Sequence, residues 1–267
     1  MKKFWKKTSL FLVTAAMTVS APLMAWALEH DIVILHTNDI HCGINDNIGF
    51  AGLAQIKKDA LARTPNVALV DAGDAIQGAP IGKLSRGLAV VDIMNYLGYD
   101  FCIPGNHEFD YGMDRFLELV PLQRAGYYCA NLVYTGNNKQ VLPGYKIMQY
   151  EDTKVAFVGA STPESLTTST PTFFQNEKGK YIYSFCEDKT GNKLYKQLQK
   201  NVDKARKDGA DYVFIVGHLG MDGTTPQWSS ESVAKNTQGV DAVIDGHSHE
   251  RFTRMVKNKV GKDVLLA

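Results

Sequence analysis

The chain lacks several features that would place it in a simple class of protein. It has only four cysteines among 267 residues, and they are scattered, so a disulfide-stapled scaffold is excluded. No low-complexity tract, internal repeat or second long apolar span divides it into separate units. No run of basic residues follows residue 27, so nucleic-acid binding through phosphate neutralisation has no support. A chain of this length is large enough to bury one sizeable core, and we expect a single α/β domain.

The N-terminal segment has the layout of a secretory signal peptide. Four lysines within the first seven residues precede an apolar stretch over 10–19 and the small-x-small site Ala25-Trp26-Ala27. The apolar stretch is shorter than the roughly 20 residues that a membrane-spanning helix needs, which favours cleavage over an uncleaved anchor. We therefore predict a signal peptide over 1–27, a periplasmic or secreted location, and no stable membrane association after cleavage. The segment 28–267 contains 25 basic and 28 acidic residues.

Five short apolar runs each end in Asp, Asn or His residues, and this repetition is the most informative feature of the chain. The runs are Ile32–Leu35, Val67–Val70, Phe101–Ile103, Tyr212–Val216 and Val240–Ile244. Runs of this kind are typical of buried strands. Polar residues just past such strands lie where open α/β sheets bind ligands.

The segments between these runs predict the rest of the secondary structure. Apolar spacing indicates helices over 53–61, 90–97, 114–122 (broken near Pro121) and 194–209. Further strands are expected over 127–131 and in a hairpin over 145–159, with a loop over 161–180. The repeated βα units and the hairpin together predict a mixed sheet, or two sheets, covered by helices.

The polar ends of the runs supply oxygen and imidazole donors that suit divalent metal ions. The candidate ligands are Asp39, His41, Asp74, Asn106, His218, His247 and His249. Asp39 and His41 are two residues apart, as are His247 and His249, so on an extended backbone one ion could take both members of a pair. Seven ligands exceed the need of one four-coordinate ion and suit two ions that share a carboxylate. Two such ions can hold a bridging hydroxide for in-line attack on phosphorus.

His107 and Asp110 form a second group with different chemistry. If the chain turns there, Asp110 accepts a hydrogen bond from a ring nitrogen of His107, which fixes the tautomer and stabilises the imidazolium. That imidazolium could protonate a leaving alkoxide or stabilise charge on phosphoryl oxygens. The alternative is that Asp110 only caps the following helix.

Five residues near these motifs are expected to have structural roles. We interpret His36 as a core histidine with satisfied hydrogen bonds, and Asp71 as a turn residue or a supporting carboxylate. Cys42 is expected to pack behind the site rather than to act as a thiolate ligand. Phe173 and Phe174 are expected to pack at the rim rather than to form a substrate platform.

The motifs match a known pattern in order and in type. Asp39-x-His41, Gly73-Asp74, Gly105-Asn106-His107-Glu108, Gly217-His218 and Gly246-His247-Ser248-His249 resemble the calcineurin-like metallophosphoesterase superfamily. The blocks at 36–41, 106–110 and 162–164 are similar to those of its exported 5′-nucleotidase / 2′,3′-cyclic phosphodiesterase / UDP-sugar hydrolase branch. The resemblance extends from about residue 31 to the end of the chain.

This resemblance implies a fold and an assignment of the ligands. The fold would be the four-layer α/β/β/α sandwich of the metallophosphoesterases, with mixed sheets. The first ion would be held by Asp39, His41, Asp74 and His249, and the second by Asp74, Asn106, His218 and His247. His107 and Asp110 would be the catalytic dyad. His249 stands where some relatives have Gln, and the two ions can be Zn, Mn or Fe because all three accept such donors.

The resemblance also implies a substrate class. We expect segment 28–267 to be a catalytic domain, truncated at its C-terminal end, because such enzymes continue into a nucleoside-binding domain. The expected activity is 5′-nucleotidase-like hydrolysis of nucleotide or other small phosphoesters by a dimetal-bound hydroxide. The alternatives are a 2′,3′-cyclic phosphodiesterase, a UDP-sugar or thiosulfate-ester hydrolase, and a non-catalytic metal-binding module without its specificity domain.

Overall fold

The computed structural model describes residues 11–12, 31–221 and 225–267. The predicted signal peptide over 1–27 therefore lies outside the described residues, apart from Phe11–Leu12. In the described ranges, no helix has both the length and the hydropathy that a membrane crossing requires.

Twelve strands and seven α-helices are found in the described ranges. The strands are β1 (Phe11–Leu12), β2 (Val33–Thr37), β3 (Val67–Asp71), β4 (Phe101–Cys102), β5 (Val133–Tyr134), β6 (Tyr145–Tyr150), β7 (Thr153–Ser161), β8 (Tyr183–Ser184), β9 (Tyr212–His218), β10 (Ala242–Ile244), β11 (Arg254–Lys257) and β12 (Asp263–Leu266). The helices are α1 (Gly49–Leu61), α2 (Pro80–Ser85), α3 (Leu88–Leu97), α4 (Met113–Leu119), α5 (Ser165–Thr168), α6 (Asn192–Lys207) and α7 (Ser230–Asn236).

The strands form two large sheets and one small one. The first sheet is parallel, in the order β1-β2-β3-β4. The second has the order β11-β12-β10-β9-β7-β6, in which β12, β10, β9 and β7 are parallel while the edge strands β11 and β6 are antiparallel. Strands β5 and β8 form a separate antiparallel pair. In both large sheets the parallel strands end at a common edge, which is where α/β proteins place their sites.

The two large sheets pack face to face between two layers of helices. Ile34 and Phe101 of the first sheet share one apolar cluster with Phe157 and Phe214 of the second. Residues of β2 that point the other way pack under α1, α3 and α4, as the period-two alternation of a strand requires. Helices α6 and α7 cover the outer face of the second sheet. The layer order is therefore α/β/β/α, which confirms the expected mixed α/β fold.

Helix α6 shows how sequence pattern determines this packing. Its buried side chains include Leu194, Leu198, Val202 and Ala205, one stripe at helical spacing. Full burial of a Leu or Val side chain contributes about 1.5–3 kcal/mol relative to exposure. The stripe therefore fixes the face that α6 turns to the sheet.

Most of the predicted elements are confirmed. The hairpin is β6–β7, and α4 ends at Leu119 before a 3₁₀ turn over Val120–Leu122 that contains Pro121. The expected loop over 161–180 contains the short helix α5 and a 3₁₀ turn over Pro171–Phe174.

The predicted strand over 127–131 is wrong. Tyr127 makes only an isolated bridge to Cys102. The next backbone N–H groups donate to three different partners: Tyr128 to Cys102, Cys129 to Pro143, and Ala130 to Gly159. The segment thus connects the two sheets instead of extending either one.

Candidate active site

All the predicted ligands lie at or just past the carboxyl ends of parallel strands, and both large sheets contribute. Asp39 and His41 follow β2, Asp74 follows β3, and Asn106 follows β4. In the second sheet, His218 is the last residue of β9, and His247 and His249 follow β10. The site therefore lies at the junction of the two sheets.

The backbone at these ligands is not extended, so the extended conformation expected for the two i, i+2 pairs is wrong, although Asp39 and His41 still lie in one ligand group. Asp39 and His41 have φ values of 51° and 47°, and His247 and His249 have values of 81° and 54°. Asp74 also has a positive φ, of 58°. Non-glycine residues adopt this region infrequently, and such strain concentrates at functional sites. His247 and His249 accordingly lie in different groups of potential ligands.

The first group consists of Asp39, His41 and His249, whose ligand atoms all lie within 4.8 Å of one another. Nε2 of His249 is 3.3 Å from Oδ1 of Asp39 and 3.4 Å from Nε2 of His41. The backbone N–H of His247 donates to the Asp39 carboxylate. Two imidazoles and a carboxylate at these distances could hold a divalent ion.

The second group consists of Asp74, His218 and His247, again with ligand atoms within 4.8 Å of one another. Nε2 of His218 lies 3.0 Å from Oδ2 of Asp74 and 3.2 Å from Oδ1 of Asn106. Two of its members are buried, with His218 inaccessible to solvent and Asp74 only 1% exposed, while His247 is partly exposed. Asn106 thus adds a neutral oxygen donor to a second potential ion site.

Asp74 joins the two groups. The same Oδ2 that contacts His218 lies 3.9 Å from Nε2 of His41 in the first group. A carboxylate between two groups of potential ligands could be shared by two ions.

Hydrogen bonds fix the tautomers of two of the histidines. Nδ1 of His41 faces the carbonyl oxygen of Gln77 at 3.2 Å, and Nδ1 of His218 faces that of Ala72 at 2.8 Å. A carbonyl only accepts, so each Nδ1 carries a proton and donates it. Each Nε2 is then presented to the site, as in ligating histidines.

The second group is strongly polarised. Burial disfavours the charged form of His218, but the charge and hydrogen bond of Asp74, together with Asp39 and the Ala72 carbonyl, outweigh burial and raise the pKa of His218 to about 10. Burial likewise opposes ionisation of Asp74, and His218 outweighs it and holds the pKa of Asp74 well below its usual value. Without an ion, a proton on His218 balances the charge of Asp74.

His107 and Asp110 are paired. Nδ1 of His107 lies 2.7 Å from Oδ2 of Asp110, and this hydrogen bond raises the pKa of His107 against the effect of burial. No side-chain capping bond is made at the start of α4, so the geometry favours pairing over the capping alternative. The backbone N–H of His107 donates to Oδ1 of Asp74 at 2.8 Å, and its ring centroid is 5.2 Å from that of His41. The pair therefore borders both ligand groups.

Glu108 has a role that the sequence reasoning missed. It is 1% exposed and accepts four backbone N–H bonds. Oε2 accepts from Asp74 and Gly105 at 2.7 and 2.6 Å, and Oε1 accepts from Ala75 and Ile76 at 2.7 and 3.3 Å. Its place inside the Gly-Asn-His-Glu block was the available signal. Glu108 holds the loops after β3 and β4 together.

Glycines allow these two loops to approach each other. Gly73 has a φ of +91°, and a Cβ there would lie 2.6 Å from the backbone nitrogen of Gly105 and 3.0 Å from Nδ1 of His218. A Cβ on Gly105 would lie 2.2 Å from Oδ1 of Asp74. Both are below any normal Cβ contact, so the close approach requires glycine at both positions.

A second missed residue is Glu164, at the end of the Thr-Pro-Glu block after β7. Its Oε2 lies 3.3 Å from Nε2 of His247, and Glu164 is 7% exposed. A carboxylate from a third strand of the second sheet thus orients one of the candidate ligands.

The neighbouring residues agree only partly with expectation. Asp71 accepts hydrogen bonds from Thr37 and from the backbone of Gly73, so it is a supporting carboxylate. Cys42 is buried in the outer apolar cluster, and burial raises the pKa of its thiol to about 11. All four cysteines are free thiols. Phe174 is fully buried against Phe109 and is core rather than rim.

The expectation of a satisfied His36 is wrong. Its two ring nitrogens are buried and have no hydrogen-bond partner among the described residues, and burial lowers its pKa to about 4. His36 is thus a neutral histidine beside the site.

The chain is similar in sequence to known nucleotide phosphoesterases. The chain is 29% identical over 259 residues to a snake venom 5′-nucleotidase of Gloydius brevicauda, covering 90% of this chain and 40% of that protein. It is 26% identical over 272 residues to a 2′,3′-cyclic-nucleotide 2′-phosphodiesterase/3′-nucleotidase of Haemophilus influenzae, covering 90% and 40%. The chain therefore spans about 40% of the length of these relatives.

A solved structure of similar fold is a 5′-nucleotidase precursor from Thermus thermophilus. It superimposes with a TM-score of 0.72 at 25% identity, covering 88% of this chain and 48% of that one. The calcineurin-like phosphoesterase model matches residues 32–251, a range that contains every candidate ligand and both members of the pair His107–Asp110. The chain therefore belongs to the calcineurin-like phosphoesterase family.

Proposed function

We propose that the chain is an exported, metal-dependent phosphohydrolase of nucleotides with 5′-nucleotidase-like activity, with a signal peptide over 1–27 and its catalytic domain over 28–267. The observation that carries the proposal is the convergence of two ligand groups, joined through Asp74, beside the pair His107–Asp110. The similarity to nucleotide phosphoesterases supports the substrate class.

The donor set fits two divalent ions. Asp39, His41 and His249 would hold one ion together with Asp74. The other ion would be held by Asn106, His218 and His247 together with the same Asp74, which would then be a ligand of both ions. Imidazole, carboxylate and amide donors in these numbers suit Zn, Mn or Fe. Two such ions supply Lewis-acid activation of a water and neutralise charge on the phosphoryl oxygens.

The chain's own residues supply the proton chemistry. Asp110 holds Nδ1 of His107, so the proton on Nε2 is available to the oxygen of the leaving group. The hydrogen bond to Asp110 keeps His107 protonated to higher pH, since it raises the His107 pKa. The His107 backbone bond to Asp74 keeps the acid beside the ligand groups. His41 and His218 keep their protons on Nδ1 and leave Nε2 for coordination.

Two variants test the division of roles. His107→Ala is expected to lose most turnover of p-nitrophenyl phosphate and AMP while retaining bound metal, and Asp74→Ala to lose both. Metal content is measured by atomic emission, and Asp92→Ala, an exposed position on α3, is the control. Full activity of His107→Ala would show that the dyad assignment is wrong, and a wild type that binds two ions without turnover would favour a non-catalytic module.

The similarity to a 2′,3′-cyclic-nucleotide phosphodiesterase motivates a second substrate. Comparing kcat/KM for AMP and for 2′,3′-cyclic AMP separates the two activities. A larger value for the cyclic substrate would replace the 5′-nucleotidase proposal by the phosphodiesterase one.

Export has its own test. The mature N-terminus of protein recovered from the cell envelope or medium is expected to be Leu28. A retained Met1 would contradict cleavage after Ala27.

A further inference from the structure

One turn of the chain contacts two members of the second ligand group. It spans residues 161–168, from the end of β7 through α5, and we call it the Glu164 turn. The backbone N–H of Thr162 donates to the carbonyl oxygen of His218 at 2.8 Å. The Glu164 side chain reaches His247, with Oε2 3.3 Å from Nε2 of that ring. The Glu164 turn therefore links two candidate ligands that come from different strands, β9 and β10.

Backbone hydrogen bonds hold Glu164 in place within this turn. Its N–H donates to Oγ1 of Thr162 at 3.2 Å, and its carbonyl oxygen accepts from the N–H groups of Thr167 and Thr168, both at 2.8 Å. Glu164 is 7% exposed, and a buried carboxylate needs hydrogen-bond donors. The Glu164 carboxylate therefore contacts His247 from a fixed position.

This contact determines which ring nitrogen of His247 is free. A carboxylate accepts hydrogen bonds and does not donate them, so Nε2 of His247 carries a proton and donates it to Glu164. A ligating imidazole is neutral and has a single N–H, which leaves the lone pair on Nδ1. His41 and His218 have the opposite arrangement, with the proton on Nδ1. His247 thus differs from these two histidines in the nitrogen that it can offer to an ion.

The influence of Glu164 is directed at one ligand group. Among the residues that the structure describes, Glu164 is not a member of either group of potential ligands, so it acts through His247. His247 reaches the first group through its backbone N–H, which donates to Asp39. A change in the Glu164 side chain leaves that backbone bond in place. Rotation of the His247 ring would therefore disturb the second group and spare the first.

We propose that Glu164 is a positioning residue that orients His247 to coordinate through Nδ1 and thereby sets the affinity of the second ion, an inference that rests on the proposed function. A carboxylate that holds the other ring nitrogen of a ligating histidine fixes its tautomer and orientation and raises its basicity. Loss of such a partner typically costs about 10–100-fold in metal affinity. The first ion, whose ligand set does not include His247, keeps its affinity.

Calorimetric titration of the metal-free full chain with Mn²⁺ tests this, and His247→Ala identifies the binding step that belongs to the second ion. Glu164→Ala should raise the dissociation constant of the same step about 10–100-fold and leave the other step unchanged. Glu164→Gln keeps the shape and a neutral acceptor. Because a charge-assisted hydrogen bond is about twice as strong as a neutral one, the loss in this variant should be about 3–10-fold. Glu177→Ala, which removes an exposed carboxylate, is the control and should change neither step.

NMR of the histidine ring nitrogens adds a readout that a change in stability alone would not move. In the metal-free wild type the N–H of His247 is expected on Nε2, and Glu164→Ala is expected to lose this preference. Unchanged affinities in both Glu164 variants, an equal weakening of both steps, or a wild-type His247 with its proton on Nδ1 would each overturn the proposal. A wild type that binds fewer than two ions would instead contradict the two-ion site of the proposed function. The position of the His247 proton then still supports or overturns the role of Glu164.

Discussion

Replacing Glu108 by glutamine keeps the shape of the side chain but removes half of its acceptor capacity. Each carboxylate oxygen accepts two backbone N–H bonds from the loops after β3 and β4. Whichever way the amide is oriented, two buried N–H groups face an NH₂ group. A buried donor without a partner costs about 1–3 kcal/mol, so two cost about 2–6 kcal/mol. Relief of the repulsion between Glu108 and Asp74 offsets part of this loss.

The free energy of unfolding should also depend on pH through the ionisation of Glu108. Burial and the charge of Asp74 raise the pKa of Glu108 to about 7, above its unfolded value. The folded wild type therefore binds a proton at this site between about pH 4.5 and 7, and the site's contribution to stability falls as pH rises through that window. Glutamine cannot titrate, so the variant lacks this dependence. Wild type and variant should consequently differ in their stability profiles below pH 7.

Urea unfolding of the metal-free protein at pH 5 and pH 8 measures both effects. Glu118→Gln, on an exposed side chain of α4, is the matched control and should be near neutral. Metal affinity provides a second readout, because loss of a residue that orients ligands typically costs about 10–100-fold. If Glu108→Gln is as stable as the wild type at pH 8 and binds metal with the same affinity, the role given to Glu108 is refuted.

Three further predictions concern the site. Asp110→Asn should move the alkaline limb of the kcat/KM profile to lower pH, because the hydrogen bond that raises the His107 pKa is lost; an unmoved limb would contradict the acid role. Metal loading at pH 8 should release a proton from His218, whose pKa is about 10 in the metal-free protein. Calorimetric metal titrations in buffers of different ionisation enthalpy would detect the released proton. Binding heats that do not depend on the buffer would contradict this prediction. Gly73→Ala should destabilise the fold more than Gly261→Ala does. Both glycines have a positive φ, but only a Cβ at position 73 would contact backbone, 2.6 Å from the nitrogen of Gly105. Equal unfolding free energies of the two variants would exclude the close-approach argument.

The five strand-end clusters were predictable because strand and ligand signals coincide locally. An apolar run and the polar residues that follow it are contiguous in sequence, so their type and order can be taken directly from it. The hairpin and the break near Pro121 were predictable for the same reason. Each depends on residues within a few positions.

The pairing of ligands was not predictable from spacing. An i, i+2 pair shares a face only on an extended backbone, whereas His247 and His249 have left-handed conformations and point into different groups. The strand predicted over 127–131 failed because its partners lie in two sheets that are distant in sequence. Glu108 was missed because its hydrogen-bond partners are backbone N–H groups, and these are present at nearly every residue, so the types of the neighbouring residues do not indicate them.

Since the ligands come from both sheets, metal affinity should depend on how the sheets pack against each other. Phe157 lies between them, with its ring centroid 5.7 Å from those of Phe101 and Phe214. Phe116 is equally buried but lies in the outer layer beneath the helices. A buried Phe→Ala change costs about 3–5 kcal/mol at either position. Phe157→Ala should in addition weaken metal binding, because the space it leaves lets the second-sheet ligands shift relative to Asp39 and Asp74. Calorimetric metal titrations of both variants, at a temperature where each is folded, would decide this. An equal loss of affinity in Phe116→Ala would mean that metal affinity follows global stability and not the packing between the sheets.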